Sequence, residues 1–303
     1  MTPVAPPGSD LAGAYAYCER LARSHYENFP VASFLLPAAM RPHVAAIYAY
    51  ARIADDMADE GHRPDADRIA DLHGWGARLD RALTGAADDG PDREVLVALG
   101  HSMRVCGLPV SLFHDLLSAF RQDVTVKRYA TWDDLLDYCR RSANPVGRLV
   151  LRVAGRTDDG LDRASDAVCT ALQLTNFWQD LRIDWSRGRL YIPSSVWRAA
   201  GADEAGLRGE RLPDAWRRAV RDAVGYTRAL FDAGRAVCDG APGRLKYELR
   251  ATWLGGTRIL DKLEASGFDP YGARPRLWWI DGPGILARTI VWPSGANERR
   301  QDV

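Results

Sequence analysis

The sequence predicts an all-α fold, and three observations lead to that prediction. Apolar residues recur at three- and four-residue steps over most of the 303 residues, which is the period of an amphipathic helix. The alternating runs that are typical of strands are hard to find. The periodic stretches are separated by short segments rich in Gly and Pro, which end helices. We therefore expect about eight to ten helices and no internal sequence repeat.

Apolar spacing places the helices in chain order. The predicted helices cover residues 11–26, 40–59, 69–83, 95–106, a stretch from 109 through 120, 135–153, 162–183, 213–237 and 245–263. The predicted breaks are 85–91, 155–160, 188–193 and 240–243. Thr131 precedes an acidic turn, Trp132-Asp133-Asp134, and is typical of an N-cap.

The length of the chain leaves one or two domains open, and we favour one. Apolar residues make up 47% and charged residues 26% of the chain, which is ordinary for a globular protein with a sizeable core. Forty basic residues balance forty acidic ones, so no overall field attracts nucleic acid. We expect a disordered N-terminal tail at 1–10, one helical domain at 11–270, and a Pro-, Gly- and Trp-rich C-terminal tail at 271–303.

Cysteine usage and hydropathy predict a cytoplasmic protein. The five cysteines form no CxxC pair, which argues against a disulfide framework or a zinc site. The first ten residues lack the features of a signal peptide, and no apolar run approaches the roughly 20 residues of a membrane span. Residues 277–292 are rich in Trp, which leaves peripheral membrane contact and a packed tail as alternatives.

Two predicted helices carry acidic residues at four-residue spacing. In the first, Asp55 and Asp59 share one helix face. In the second, LQLTNFWQDLRIDW (172–185), Asn176, Asp180 and Asp184 follow one side of two turns among apolar neighbours. Carboxylate and amide oxygens suit Mg²⁺, which commonly bridges protein carboxylates to substrate phosphates. A solvated surface is the alternative for either stretch alone, but the presence of both favours a magnesium-bound diphosphate.

These stretches, with three further motifs, resemble the squalene/phytoene synthase family. The motifs are HYENF (25–29), YAYARIADDMAD (48–59), YCRRSANPVG (138–147), LQLTNFWQDLRIDW (172–185) and GRLYIP (188–193). The resemblance covers most of the chain. It implies the isoprenoid synthase fold, a single helical bundle around a central apolar cavity.

The resemblance also implies roles for individual residues. Five side chains would bind Mg²⁺ and the diphosphate: Asp55, Asp59, Asn176, Asp180 and Asp184. Tyr138 would lie beside the reacting carbons, and the rings of Phe29, Tyr138, Phe177 or Trp178 could stabilise a cation. The other residues expected to bind the prenyl diphosphate substrate are His25, Arg52, Arg148, Gln173, Arg189 and Tyr191.

Two departures from the family pattern favour one branch. Asn144 and Pro145 stand where relatives have a glycine and a small residue, and Glu27 stands where many have a lysine. We expect the bacterial hydroxysqualene synthase branch, in which presqualene diphosphate from a sister enzyme in the same pathway is ionised and captured by water. Asn144 is the candidate for positioning that water, although the sequence favours the interpretation that this Asn bends the helix before Pro145.

Several alternatives stay open. Within the family, the chain could condense two farnesyl diphosphates to presqualene diphosphate or squalene, or form phytoene from C20 substrates. Outside enzymes, it could be a protein that only binds prenyl diphosphates, although two complete acidic motifs argue against that. A four-helix di-iron protein is excluded because the sequence contains no Glu-x-x-His.

Overall fold

The computed structural model describes residues 7–24, 35–59, 63–85 and 88–292. The structure is 74% helical, and the described residues contain no strand. A single parallel bridge joins Arg128 to Leu190. The all-α class predicted from the sequence is confirmed.

Within these residues the chain forms fourteen α-helices and one 3₁₀ helix (Glu204–Arg208). The α-helices are α1 (Pro7–Ser24), α2 (Arg41–Asp59), α3 (Asp65–Leu83), α4 (Arg93–Cys106), α5 (Val110–Thr125), α6 (Trp132–Ser142), α7 (Asn144–Val153), α8 (Asp159–Gln179), α9 (Leu181–Ser186), α10 (Ser194–Ala199), α11 (Asp214–Gly234), α12 (Val237–Gly240), α13 (Leu245–Ala265) and α14 (Asp281–Ile290).

The helices are grouped into two compact units whose segments alternate along the chain. Unit 1 comprises Met1–Thr125 and Arg148–Thr157, and unit 2 comprises Val126–Gly147 and Asp158–Val303. Helices α1 and α14 both lie at least partly within the stretches assigned to tails. The predicted single domain over residues 11–270 and its central apolar cavity stay predictions.

In unit 1, an aromatic core fixes the middle of α2. Tyr50 is fully buried; its ring stacks on Trp75 of α3 at a centroid distance of 5.2 Å and meets Phe113 of α5 edge-on at 5.5 Å. Such aromatic pairs contribute about 0.5–1.5 kcal/mol beyond the area they bury. The core therefore anchors α2 directly before its acidic C-terminal turns.

A polar cluster joins α1, α2 and α4 of the same unit. The Tyr15 hydroxyl lies 2.8 Å from both His101 Nδ1 and Ser102 Oγ, and 3.2 Å from His43 Nδ1. Burial, and secondarily the nearby His101, lower the pKa of His43. Because each such hydrogen bond is worth about 0.5–1.5 kcal/mol, the cluster stabilises the contact of three helices.

In unit 2, α8 packs against α6, α11 and α13. Trp178 of α8 is fully buried and donates its indole N–H to Thr227 Oγ1 of α11 at 2.8 Å. At Gly234 of α11, an added Cβ would lie 2.6 Å from the backbone oxygen of Ala164. Glycine is therefore required where α11 meets α8.

Most predicted helices are confirmed. Two stretches that the sequence predicts to be continuous helices are each divided in the structure. The stretch 135–153 is divided at Ala143 (φ −112°), because Pro145 has no N–H to donate to the preceding turn. The stretch 162–183 is interrupted at Asp180, whose φ of −101° and ψ of 11° leave the helical region. The Thr131 N-cap is confirmed, with a complete capping box to Asp134.

None of the described helices combines the length and the apolar character needed to cross a bilayer.

Candidate active site

The first acidic stretch forms the last turns of α2 in unit 1. Asp55 is partly exposed and Asp59 is exposed. Arg52 forms a two-point ion pair with Asp56, with Nη2–Oδ1 at 2.5 Å and Nε–Oδ2 at 3.2 Å. Its Nη1 lies 3.5 Å from Asp55 Oδ2. The guanidinium predicted to contact phosphate is therefore shared between two carboxylates of its own helix.

The C-terminal end of α2 is held by Arg68 of α3. Its Nη1 donates to the carbonyl oxygen of Ala58 at 2.6 Å, and the same guanidinium pairs with Asp65. The last carbonyls of a helix lack intrahelical partners, so this bond fixes the backbone directly before Asp59.

The second acidic stretch spans the junction of α8 and α9 in unit 2. Although the helix is interrupted at Asp180, the i to i+4 bonds continue across it. The Asp180 N–H donates to the carbonyl of Asn176 at 2.9 Å, and the Asp184 N–H donates to that of Asp180 at 2.8 Å. The three oxygen ligands predicted from the sequence thus keep a helical spacing.

Asp184 has an unusual charge state for an aspartate. Burial, and next the charge of Asp180, raise its pKa to about 7, against the opposing effect of nearby Arg189, Arg187 and Arg274. The carboxyl group is therefore incompletely ionised at neutral pH. A cation bound beside these carboxylates would supply the missing positive charge.

Residues 271–276, here called the C-terminal strap, run along this second stretch. Arg274 forms a two-point pair with Asp180, in which Nη2 lies 2.9 Å from Oδ2 and Nε also contacts Oδ1. Two side chains of the acidic stretch donate to strap carbonyls: Gln179 Nε2 to Pro275 (2.6 Å) and Arg182 Nη1 to Tyr271 (3.2 Å). The strap thus holds the predicted ligand Asp180 by an ion pair.

Four buried rings of unit 2, here called the aromatic cluster, pack together: Tyr129, Tyr138, Phe177 and Tyr191. Phe177 and Tyr191 stack with their centroids 3.6 Å apart and their planes 5° from parallel. The Tyr138 centroid lies 6.2 Å from Phe177 and 6.3 Å from Tyr191. Ring faces carry negative potential, so such a group can stabilise a carbocation.

Trp178, the other aromatic residue predicted from this helix, has a different role. Its indole N–H is used by Thr227, and its ring meets Trp132 edge-on at 6.2 Å. We therefore interpret Trp178 as a packing residue between α8, α6 and α11.

The loop at 188–193 is held against residues 127–130 of the same unit. The backbone N–H of Leu190 donates to the carbonyl of Lys127 at 3.0 Å. The side chain of Arg128 donates to the carbonyl of Gly188 at 2.6 Å and pairs with Glu204 at 2.9 Å. This attachment places Tyr191 in the aromatic cluster, and Arg189 donates its backbone N–H to the Asp184 carbonyl at 2.8 Å.

The start of α7 is fitted closely against α8. Asn144 is buried, and its side-chain oxygen accepts a hydrogen bond from Thr170 Oγ1 at 2.9 Å. At Gly147, an added Cβ would overlap Ser165 Oγ and would lie 2.5 Å from Cys169 Sγ. The amide predicted to position water is therefore fixed by a partner on α8, and its role toward water stays a prediction.

The remaining predicted substrate-binding residues lie in different parts of the chain. Gln173 is a half-buried residue of α8, and Arg148 lies in the part of α7 that belongs to unit 1. His25 and Phe29 lie outside the described residues. The expected roles of all four toward substrate stay predictions.

A family model described as squalene/phytoene synthase matches residues 22–280. The chain belongs to the squalene/phytoene synthase family. The match includes both acidic stretches and every residue of the aromatic cluster, and the resemblance inferred from the motifs is confirmed.

Individual relatives carry several names within this family. The hydroxysqualene synthase of Zymomonas mobilis is 42% identical over 208 residues, which are 68% of this chain and 67% of that protein. The phytoene synthase of Thermus thermophilus is 32% identical over 262 residues, which are 85% of this chain and 86% of that protein. The crystal structure of a squalene synthase from Alicyclobacillus acidocaldarius has a TM-score of 0.80 at 41% identity, covering 86% of this chain and 97% of that one. The isoprenoid synthase fold is thereby confirmed.

The acidic residues of this family member supply part of the ligand set that a metal ion requires. In the described part of the chain, no three His, Cys, Asp or Glu side chains gather into a group that could hold a metal ion. Each predicted ligand set supplies two carboxylates, joined in unit 2 by the amide of Asn176. Mg²⁺ commonly takes one or two carboxylates and fills its remaining positions with water and substrate phosphate. The donor set therefore fits Mg²⁺ that arrives with a diphosphate.

Sequence reasoning missed four residues of this family member's site. Tyr129, Arg128 and Arg274 act through tertiary contacts, and no spacing rule connects them to the motifs. Ser142, whose Oγ is buried without a hydrogen-bond partner among the described residues, was visible only as part of an unusual motif. Arg274 and Arg276 flank Pro275, and nothing in their spacing connects either of them to Asp180.

Proposed function

We propose that this chain is a hydroxysqualene synthase, which ionises presqualene diphosphate and captures the resulting cation with water. The observation that carries the proposal is that α8 presents both kinds of group that the reaction needs. Asn176 and the C-cap residue Asp180 carry oxygen atoms that can bind a metal, and Phe177 between them belongs to the buried aromatic cluster. An enzyme that separates a diphosphate from a carbocation must stabilise both charges.

Similarity supports the choice of branch. The Zymomonas mobilis relative named above carries the hydroxysqualene synthase name. The buried polar group at Asn144 is consistent with a reaction that ends in hydration.

At the diphosphate end, we assign Asp55, Asp59, Asn176, Asp180 and Asp184 to metal binding. Mg²⁺ would neutralise the leaving group and weaken its bond to carbon. The basic side chains Arg52, Arg148 and Arg189, with His25, would contact phosphate oxygens. Gln173 would orient the same group.

At the carbon end, loss of diphosphate leaves a cyclopropylcarbinyl cation that rearranges to an allylic cation. The rings of Tyr138, Phe177 and Tyr191 would stabilise it, by about 0.5–2 kcal/mol each, and Phe29 would extend this surface. After the carbon–oxygen bond to diphosphate has broken, the oxygen of water forms a bond to the cationic carbon and releases one proton. Asn144 would position that water, and the buried Ser142 hydroxyl is a second candidate.

One alternative function is favoured by a specific observation. The Thermus thermophilus relative is named a phytoene synthase and aligns over 85% of this chain. A condensing activity on two C15 or C20 diphosphates is therefore the second candidate. A protein that binds prenyl diphosphates without turnover is the non-enzymatic one.

We also propose a cellular setting. The protein would work in the cytoplasm at a membrane surface, since its substrate and product are long isoprenoids. It would follow a partner enzyme that makes presqualene diphosphate.

Product analysis tests the function. Purified protein with Mg²⁺ is incubated separately with presqualene, farnesyl and geranylgeranyl diphosphates, and products are identified by mass spectrometry. We expect hydroxysqualene from presqualene diphosphate alone, with ¹⁸O incorporated from labelled water and no product after chelation of the metal.

Other outcomes identify the alternatives. A C30 diphosphate or squalene from farnesyl diphosphate, or phytoene from the C20 substrate, would contradict the proposed branch but keep the family. Tight binding of presqualene diphosphate without any product would favour the binding protein.

A further inference from the structure

The exposed large apolar side chains gather in one short segment of unit 2. Of the eleven found among the described residues, seven lie between positions 277 and 291, and the other four are scattered. The seven, here called the C-terminal apolar surface, are Leu277, Trp278, Trp279, Ile280, Leu286, Ile290 and Val291. Trp279 is 86% exposed and Trp278 60%. Exposed apolar patches of this kind mark interaction sites.

The surface points outward because its other side is already bound to α13. The Asp281 carboxylate is buried and accepts from Lys262 Nζ at 2.5 Å, from Arg258 Nε at 2.9 Å and from the backbone N–H of Trp278 at 2.8 Å. Thr289 is also buried, on the same helix, α14. These contacts fix the segment, so the exposed residues cannot turn inward without breaking a buried ion pair.

The length of α14 and the position of its apolar residues fit a helix that lies along a surface. Leu286 and Ile290 are four residues apart and share one face of α14. The helix has ten residues and is therefore about 15 Å long, half of the roughly 30 Å needed to cross the hydrocarbon core. The two tryptophans precede it in the connecting turn.

The exposed charge in this segment is positive. Arg276 and Arg288 are exposed, and Asp281 is the only acidic residue from 276 to 291. Because Asp281 is buried between Lys262 and Arg258, its charge is neutralised. An apolar surface with basic residues at its margin complements an anionic lipid headgroup layer.

We propose that the C-terminal apolar surface docks this protein on the face of an anionic lipid bilayer. Tryptophan is enriched at the level of lipid headgroups because its ring is apolar and its N–H is polar. The aliphatic residues of α14 would enter the acyl boundary beside it. A role of the C-terminal apolar surface in delivering C30 isoprenoids rests on the proposed function, whereas the docking itself does not.

A second copy of the chain is a poorer occupant. In a twofold interface, each copy presents the same patch to the other. Two such surfaces would bring Arg276 and Arg288 of both copies to one contact, and the segment offers no exposed carboxylate to pair with them.

Vesicle co-sedimentation of the full-length protein tests the proposal. The vesicles contain phosphatidylcholine with or without phosphatidylglycerol, and no substrate is present. We expect binding to the anionic vesicles, and binding about tenfold or more weaker for Trp278→Ser/Trp279→Ser and for Leu286→Ser/Ile290→Ser. Val105→Ser, which removes a 62% exposed apolar side chain from α4, is the matched control and should bind like wild type.

The charged residues give a second measurement. Arg276→Gln/Arg288→Gln should lose most of the preference for phosphatidylglycerol and the sensitivity to salt. Wild-type protein that does not bind anionic vesicles, or double serine variants that bind as well as Val105→Ser, would overturn the proposal.

Two further measurements distinguish membrane docking from a protein interface and from catalysis. If sedimentation velocity shows a dimer that Trp278→Ser/Trp279→Ser dissociates, while vesicle binding is unchanged, the surface is a protein interface and the proposal is wrong. Turnover of presqualene diphosphate in detergent tests the proposed function independently. If the protein binds vesicles but shows no turnover, the docking proposal stands and the proposed function is contradicted. If it shows turnover but does not bind vesicles, the proposed function stands and the docking proposal is contradicted.

Discussion

The two acidic stretches share a four-residue spacing but depend on different partners. In unit 1, Asp55 and Asp56 share the single positive charge of Arg52, which lies three and four residues before them on the same helix. In unit 2, Asp180 is paired with Arg274, 94 residues further along the chain, and Asp184 is buried enough for its pKa to reach about 7. The four-residue spacing is therefore common to both stretches, whereas the charge of Asp180 and Asp184 in the second depends on residues that are distant in sequence.

The largest effect is expected from removing a ligand of either stretch. Asp180→Asn and Asp55→Asn should each lower turnover by about a thousandfold or more, because each loses a charged oxygen that we assign to metal binding. Circular dichroism should show an unchanged helix content. Steady-state turnover with saturating Mg²⁺ measures the loss.

Asp56→Asn is the matched control, since Asp56 neighbours Asp55 on α2 but pairs with Arg52. It should cost far less activity than Asp55→Asn. Equal losses in the two variants would mean that the first stretch is sensitive to charge in general and not to one ligand.

The next effect is a loss of stability, and it is expected at the close contact between α7 and α8. Gly147→Ala would force a methyl group to within 2.5 Å of Ser165 and Cys169, so we expect a free energy of unfolding lower by about 1–3 kcal/mol. Urea denaturation measures it. Gly225→Ala in α11, where an added Cβ meets nothing within 4 Å, should be neutral or stabilising, and similar destabilisation of both would refute a local clash.

The ion pair between the C-terminal strap and Asp180 leads to a smaller effect. Arg274→Gln removes a positive charge that competes with a cation for Asp180, so substrate-free protein should bind Mg²⁺ about tenfold more tightly. Isothermal titration calorimetry measures the Kd. Arg276→Gln, two residues along, leaves the pair intact and should not change it; weaker Mg²⁺ binding by Arg274→Gln would show that the guanidinium orders the site instead.

The last expected effect is a pH dependence of stability that belongs to unit 2. The pKa of Asp184 is raised from 3.8 to about 7 in the folded protein, so between these values the folded state holds a proton that the unfolded state has lost. Stability of the metal-free protein should therefore fall as pH rises across this range. Urea denaturation in EDTA should show that Asp184→Asn lacks this slope, and an identical slope in the variant would assign it to another group.

Local features of this chain were predictable because they depend on neighbours in sequence. The periodicity of α2 and α8, the N-cap at Thr131, and the helical spacing of Asp180 and Asp184 all follow from the order of a few neighbouring residues. The family could be identified for the same reason, since its motifs are short and contiguous.

Features that depend on the folded chain were not predictable. Nothing near Asp180 in sequence indicates Arg274, and nothing near Tyr138 indicates that Tyr129 completes the aromatic cluster. The continuity of α8 into α9 was overestimated because helical periodicity persists across Asp180 although its φ and ψ do not. The residues 271–292 were assigned to a tail because Pro, Gly and Trp suggest loops, whereas the ion pairs of Asp281 fix α14 to α13.

The alternation of the two units along the chain has a practical consequence for dissection. The polypeptide passes between them after Thr125, after Gly147 and after Thr157, and the middle passage falls inside α7. A fragment that stops at residue 125 lacks the last part of its own unit, and one that begins at 126 carries ten residues that belong elsewhere. Limited proteolysis or split expression at a single position therefore leaves at least one piece incomplete.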